Sequence, residues 1–183
     1  MDNNYIKTTS IPGLLILERP IQKDDRGFYR EVFHNDELEK LSGVKFNGIQ
    51  MNHAYSKPGV IRGIHAERWN KIIYPVTGEV FIAIVDIRSD SPTFGKVETF
   101  KVNDENRIGL FIPNGLANSL CVIGEKSVDY IYLVDVYWDG SDTRAIAWDD
   151  PDLAIDWPIK DPILSERDKN NPKLRDLFPE KFK

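Results

Sequence analysis

The sequence predicts an all-β chain, an antiparallel sandwich or barrel, on three observations. From Phe46 onward turn signals recur at short, even intervals: Lys57-Pro58-Gly59, Thr77-Gly78, Ser89-Asp90-Ser91-Pro92, Asn103-Asp104-Glu105-Asn106, Pro113-Asn114-Gly115 and Ile123-Gly124-Glu125. No helical period separates them. The segments between carry strand patterns of two kinds. Val80–Val85 is apolar throughout, as in a strand covered on both faces, whereas Val128–Trp138 alternates, with Val128, Tyr130, Tyr132, Val134, Val136 and Trp138 on one face. Short strands at this spacing bury their apolar faces only against a second sheet, which gives the sandwich or barrel.

Taken in order, Gly13–Arg19 reads as a short apolar strand followed by a turn at Lys23-Asp24-Asp25. Arg26–Phe33 alternates, with Phe28, Arg30 and Val32 against Tyr29, Glu31 and Phe33, the mark of a strand with one functional face. Asn35 is placed to cap a short helix over Asp36–Leu41 that Gly43 ends, the one helix expected in the first half. After Trp148 the composition turns polar and proline-rich, and Ser165 with Asp168 three residues on has the form of a capping box opening a small helical tail. Repeats, low-complexity tracts and linkers are absent, so residues 1–183 are expected to form one domain.

Charge narrows the partners. Twenty-four Lys and Arg against 29 Asp and Glu leave a net charge of −5 without a basic block, which argues against a nucleic-acid surface. An anionic ligand must then be met by a local basic patch. The start, Met1–Lys7, lacks the pattern of a signal peptide, no apolar run reaches membrane-spanning length, and the single Cys121 excludes an internal disulfide. These features together point to a soluble cytoplasmic protein.

The chemistry concentrates in Gly59–Lys71, where a short apolar run delivers Arg62 and His65, with Lys71 six residues on. A neutral imidazole takes a proton near physiological pH and an ammonium holds a developing oxyanion, a pair suited to proton abstraction beside a carbonyl. The simpler reading is a histidine that ends a strand and hydrogen-bonds locally. His53, in a Gln-x-Asn-His strand, is a rival base more in keeping with a structural role, and His34 precedes the helix. Strict alternation sets Arg62 opposite His65, so a shared site requires a bulge or a neighbouring subunit. Metal ligation would need a pair of close histidines with a carboxylate, and His65-Ala66-Glu67 offers only one.

Arg26-Gly27-Phe28-Tyr29-x-Glu31, Gln50-x-Asn52-His53, Gly59-Val60-x-Arg62-Gly63-x-His65, Asp86-x-Arg88-x-x-Ser91-Pro92-Thr93-x-Gly95, Ile112-Pro113-x-Gly115, Trp148-Asp149-Asp150-Pro151 and Leu164-Ser165-Glu166-x-Asp168 together resemble the dTDP-4-dehydrorhamnose 3,5-epimerase family, in order from about Ile11 to Pro172. The resemblance implies a cupin-type jelly roll, a homodimer, and catalysis without metal or cofactor at carbons flanking the C4 ketone of a nucleotide-linked 4-keto-6-deoxy sugar. It implies His65 as base, oriented by Asp168; Tyr132 as acid on the opposite face; and Lys71 facing the C4 oxygen. Arg26, Glu31, Gln50, Asn52 and Arg62 match positions that hold the nucleotide, pyrophosphate or sugar.

The chain also departs from the family pattern. A shortened loop, Ala66–Asn70, follows His65, Asn118 stands where a second active-site histidine is common, and Leu133 replaces a lysine. These departures bear on which nucleotide is bound (dTDP, GDP or CDP), whether the sugar is a heptose, and whether one carbon or two are inverted. Alternation cannot choose between Tyr130 and Tyr132; the resemblance favours Tyr132. A non-catalytic jelly roll that binds a sugar nucleotide would explain the arginines and aromatics, but not His65, Lys71, Tyr132 and Asp168 arriving together.

Overall fold

The computed structural model describes residues 5–140 and 144–182. In chain order these form β1 (Ile6–Thr8), β2 (Leu15–Leu17), β3 (Gln22–Asp24), β4 (Gly27–Tyr29), α1 (Asn35–Ser42), β5 (Gln50–Ser56), β6 (Ile61–Ala66), β7 (Lys71–Pro75), β8 (Val80–Asp86), β9 (Val97–Val102), β10 (Gly109–Ile112), β11 (Leu116–Val122), β12 (Val128–Val134), β13 (Arg144–Ala145) and α2 (Leu174–Leu177). One sheet has the order β1-β2-β10-β7-β12-β5 and the other β13-β6-β11-β8-β9, while β3 and β4 pair only with each other. From β5 to β13 the chain passes back and forth between the two sheets, with β8–β9 its one internal hairpin. The expected all-β chain is therefore present as two antiparallel sheets.

Three apolar layers hold the sheets. Between them lie Ile73, Val80, Ile82, Ile84, Leu110 and Leu120, with Val128 and Tyr130. The outer face of the six-stranded sheet packs Leu15, Ile72 and Phe111 against Leu38 of α1 and Phe46. The outer face of the five-stranded sheet packs Ile64, Val85 and Ala117 under Leu174 and Phe178 of the helical tail. With cover on both faces, β8 is buried along nearly all its length, as its unbroken apolar run requires.

Three local expectations change. Only Gly27–Tyr29 of the Arg26–Phe33 segment is strand, because its hairpin gains no third strand and no face to bury; Phe28 and Tyr29 stay exposed, and Phe28 lies 4.5 Å under the Arg107 guanidinium. The cap of α1 is His34, which makes no side-chain capping bond, and Asn35 is already helical; Gly43, at φ 70°, ends the helix as expected. The alternation of Val128–Trp138 stops with β12 at Val134, and Val136 and Trp138 are exposed. Among the described residues no helix is long and apolar enough to cross a membrane.

Candidate active site

Register places two rows of side chains on the inner face of each sheet. Across β7, β12 and β5 the neighbours are Ile73, Tyr132 and Asn52, then Lys71, Val134 and Gln50. Because Ile73 and Tyr130 belong to the layer between the sheets, the period of two carries Lys71, Tyr132, Asn52 and Gln50 to that side. On the facing sheet, Ile84, Asn118 and His65 form one row and Ile82, Leu120 and Arg62 the next.

A bulge resolves the conflict between Arg62 and His65. Asn118 pairs with His65 and Leu120 with Arg62, so three steps along β6 match two along β11. Gly63 sits in the irregularity at φ 116°, where a Cβ would come 2.7 Å from the Asn118 carbonyl oxygen. Ile64 and Ala66 then enter the outer layer while Arg62 and His65 both face inward. Arg62 reaches across to β5, its Nε donating to Ser56 Oγ at 2.8 Å and its Nη2 to the Tyr55 carbonyl at 2.9 Å.

His65 meets Asp168 because the C-terminal segment runs back along β6: Ile61 N donates to the Ile163 carbonyl at 3.1 Å and Ile163 N to that of Gly59 at 2.8 Å. His65 Nε2 lies 2.7 Å from Asp168 Oδ1, with the carboxylate buried. Asp168 N donates to Ser165 Oγ at 3.1 Å, so half of the expected capping box exists, but the Asp168 carboxylate has left it for the imidazole. Burial pushes this carboxyl up, yet the bond from His65, with help from Ser165 and Asn171, outweighs it and holds the pKa at about 2. An ionised Asp168 accepts from Nε2–H, which leaves the lone pair on Nδ1. A cleft of about 320 Å³ adjoins the pair, lined by Arg62, His65, Ser165 and Asp168 among others.

Lys71, 6% exposed, donates through Nζ to Glu67 Oε2 and, at 2.8 Å, to Asn118 Oδ1. Its nitrogen lies 5.8 Å from the centroid of the Tyr132 ring. Tyr132 stacks on Tyr130 with centroids 6.0 Å apart, so the two phenols share a face as the alternation predicts. Burial pushes the Tyr132 phenol up, the Glu67 carboxylate adds to this and Arg62 opposes it; burial takes Tyr130 to about 12. Both are therefore neutral phenols near pH 7. Glu67 escaped the sequence reading as a site residue. The available signal was a carboxylate four positions before Lys71 in the short connection from His65.

Gln50 Nε2 donates to Asn52 Oδ1 at 2.8 Å on the same inner face. Arg26 and Glu31 are not brought in. Arg26, 89% exposed at the hairpin tip, pairs with Asp24, and Glu31 pairs with Arg19 at 3.1 Å and His34 at 3.3 Å. His53 points the other way from Asn52 and Ala54, 64% exposed and 2.7 Å from Asp129. His34 lies between Glu31 and Glu37. Among the described residues no three His, Cys, Asp or Glu side chains gather as a metal site.

The family model described as dTDP-4-dehydrorhamnose 3,5-epimerase matches residues 8–176. The Shigella flexneri protein of that name is 38% identical over 177 residues, covering 94% of this chain and 97% of its own. The Pseudomonas aeruginosa one is 35% identical, covering 93% and 97%. The crystal structure of the Legionella pneumophila dTDP-6-deoxy-D-glucose-3,5-epimerase in complex with dTDP-4-keto-L-rhamnose superposes with a TM-score of 0.88 at 35% identity, covering 96% of this chain and 95% of that one. The fold is thus the cupin-type jelly roll of those epimerases.

Proposed function

Because this chain belongs to the dTDP-4-dehydrorhamnose 3,5-epimerase family, we propose that it is an epimerase that inverts carbons flanking the C4 ketone of a dTDP-linked 4-keto-6-deoxy sugar. The observation that carries the reading is the His65–Asp168 pair opening onto the same interior as Lys71 and Tyr132. His65 removes the proton alpha to the ketone, and the electron pair of that C–H bond passes to the C4 oxygen, which Lys71 receives. An imidazole manages this only because the enolate is stabilised, and a positioned donor in a dry site supplies ~3–4 kcal/mol. Tyr132 then protonates the carbon from the other face, and the proton held by the imidazolium returns to the phenolate through solvent. No metal or redox cofactor enters this sequence.

In this proposal Arg62, Gln50 and Asn52, which share the inner faces with His65, hold the sugar and pyrophosphate beside the base. Arg26 and Glu31 serve in the reading only if the β3–β4 arm reaches a second copy, so the active form is a homodimer. Supporting this, the arm exposes Phe28 and Tyr29, and the edge strand β5 exposes Met51 and Tyr55. The enzyme works in the cytoplasm on a nucleotide-sugar pool.

Incubation with dTDP-4-keto-6-deoxyglucose in heavy water tests the proposal. Deuterium at C3 and C5 with inversion at both supports the two-carbon reaction, and one deuterium marks a single-carbon epimerase, the point on which Asn118 bears. Absence of deuterium with dTDP-, GDP- and CDP-linked 4-keto sugars would leave a sugar-nucleotide-binding module in its place.

A further inference from the structure

The epimerase reading explains Lys71 but leaves Glu67 without a task. Glu67 is 14% exposed, and its carboxylate contacts an ammonium that is itself only 6% exposed. An ammonium has three N–H donors in tetrahedral array. Glu67 takes one and Asn118 Oδ1 takes a second at 2.8 Å, which fixes the direction of the third. Resting on the epimerase reading, we propose that Glu67 is a positioning residue: with Asn118 it clamps the Lys71 ammonium beside the Tyr132 ring, so that the remaining N–H donates to the C4 oxygen as it becomes an enolate.

A surface ion pair contributes little, but two charges withdrawn from water depend on each other, and removing one leaves the other unpaired. Glu67 also balances the charge of the interior, where the groups facing Tyr132 are Tyr130 on its own strand, Lys71 on β7, and Arg62 and His65 on β6, His65 being paired with Asp168. Arg62 favours the Tyr132 phenolate and Glu67 disfavours it. Glu67 therefore acts twice: it holds the electrophile in place and adds to the burial that raises the Tyr132 phenol. The geometry of the clamp needs no contact between Glu67 and substrate.

The test compares the wild type with E67Q and E67D. E67Q retains size and hydrogen-bonding capacity but lacks charge; kcat for inversion should fall ~10²-fold, the scale of a lost oxyanion donor, with KM changed less than about threefold. The alkaline limb of its kcat profile should move to lower pH. Phenolate absorbance, which requires no substrate, should show a tyrosine titrating lower in E67Q than in wild type, and this difference should vanish when Tyr132→Phe is added to both. E67D, a carboxylate one carbon shorter, should recover part of kcat and all of the tyrosine shift. Wild-type kcat and wild-type phenolate titration in E67Q would overturn the inference, as would E67Q and E67D losing kcat and dTDP binding equally, the mark of a purely structural role. If wild type itself turns over no 4-keto sugar, the epimerase reading fails, and the phenolate titration still decides whether Glu67 acts on Tyr132.

Discussion

His65 Nε2 and Asp168 Oδ1 lie 2.7 Å apart although the two residues are 103 positions apart in the chain. The contact ties the mouth of β6 to the first residue of a short 3-10 turn and gives the imidazole a fixed orientation. Asp168→Asn preserves the shape but offers an amide in place of a carboxylate, so the tautomer with its lone pair on Nδ1 is no longer favoured. Turnover should fall by up to ~10⁴-fold, the loss where a catalytic histidine loses its orienting carboxylate. His65→Asn should abolish solvent exchange of sugar protons while calorimetric binding of dTDP stays within about twofold, and exchange at the wild-type rate would place the base elsewhere.

Tyr132→Phe separates enolisation from inversion. His65 alone can remove a proton and return it to the same face, so deuterium wash-in should remain measurable by NMR. Inverted product should drop at least ~10²-fold, the contribution of a positioned general acid. Wash-in and inversion falling in parallel would remove Tyr132 from the acid role.

Gly63→Ala tests the bulge. At φ 116° the new Cβ would meet the Asn118 carbonyl oxygen at 2.7 Å, backbone that cannot step aside. A stability loss of ~2–4 kcal/mol is expected from the strain and clash together, read as a lower urea midpoint. An unchanged midpoint with full activity would show that the two-against-three register is not needed.

Acid sensitivity follows from two buried carboxylates. Asp86, fully buried, accepts from Arg88 Nε at 2.8 Å, Ser91 Oγ at 2.6 Å and Thr93 Oγ1 at 2.6 Å. Burial alone would raise its pKa, but these donors hold it at about 2, below the ordinary 3.8. A pKa depressed on folding adds stability that is complete above the unfolded value and is lost as pH falls from about 4 to about 2. Asp86→Asn should cost about 2 kcal/mol in urea unfolding near neutral pH and flatten the acid decline, and Asp168→Asn should flatten it further. An unaltered acid limb in both variants would contradict this.

The arm predicts assembly. Light scattering should give twice the 21.0 kDa chain mass. Arg26→Ala should weaken dTDP binding by roughly 10-fold through loss of a charge-assisted contact to phosphate. A monomer that binds dTDP as tightly as its Arg26→Ala variant would confine the site to one chain.

Strands and turns were legible in the sequence because they are local: a period of two orients Tyr130 with Tyr132, Gly43 ends a helix where φ must turn positive, and an apolar run such as Val80–Val85 demands cover on both faces. Arg62 and His65 looked opposed for the same reason, since alternation carries no sign of an extra residue; that residue exists only in the register between β6 and β11. Ser165 and Asp168 read as a cap because their spacing is local, whereas the partner that draws the carboxylate away comes from a strand a hundred positions earlier. Glu67 was invisible beside Lys71 because a loop sequence does not say which way its side chains turn, and Arg26 and Glu31 were legible as a motif but not as an arm projecting from the barrel. Residue chemistry and strand periodicity are written along the chain; which groups meet inside the barrel was decided by long-range register and packing, which only the closed sheets define.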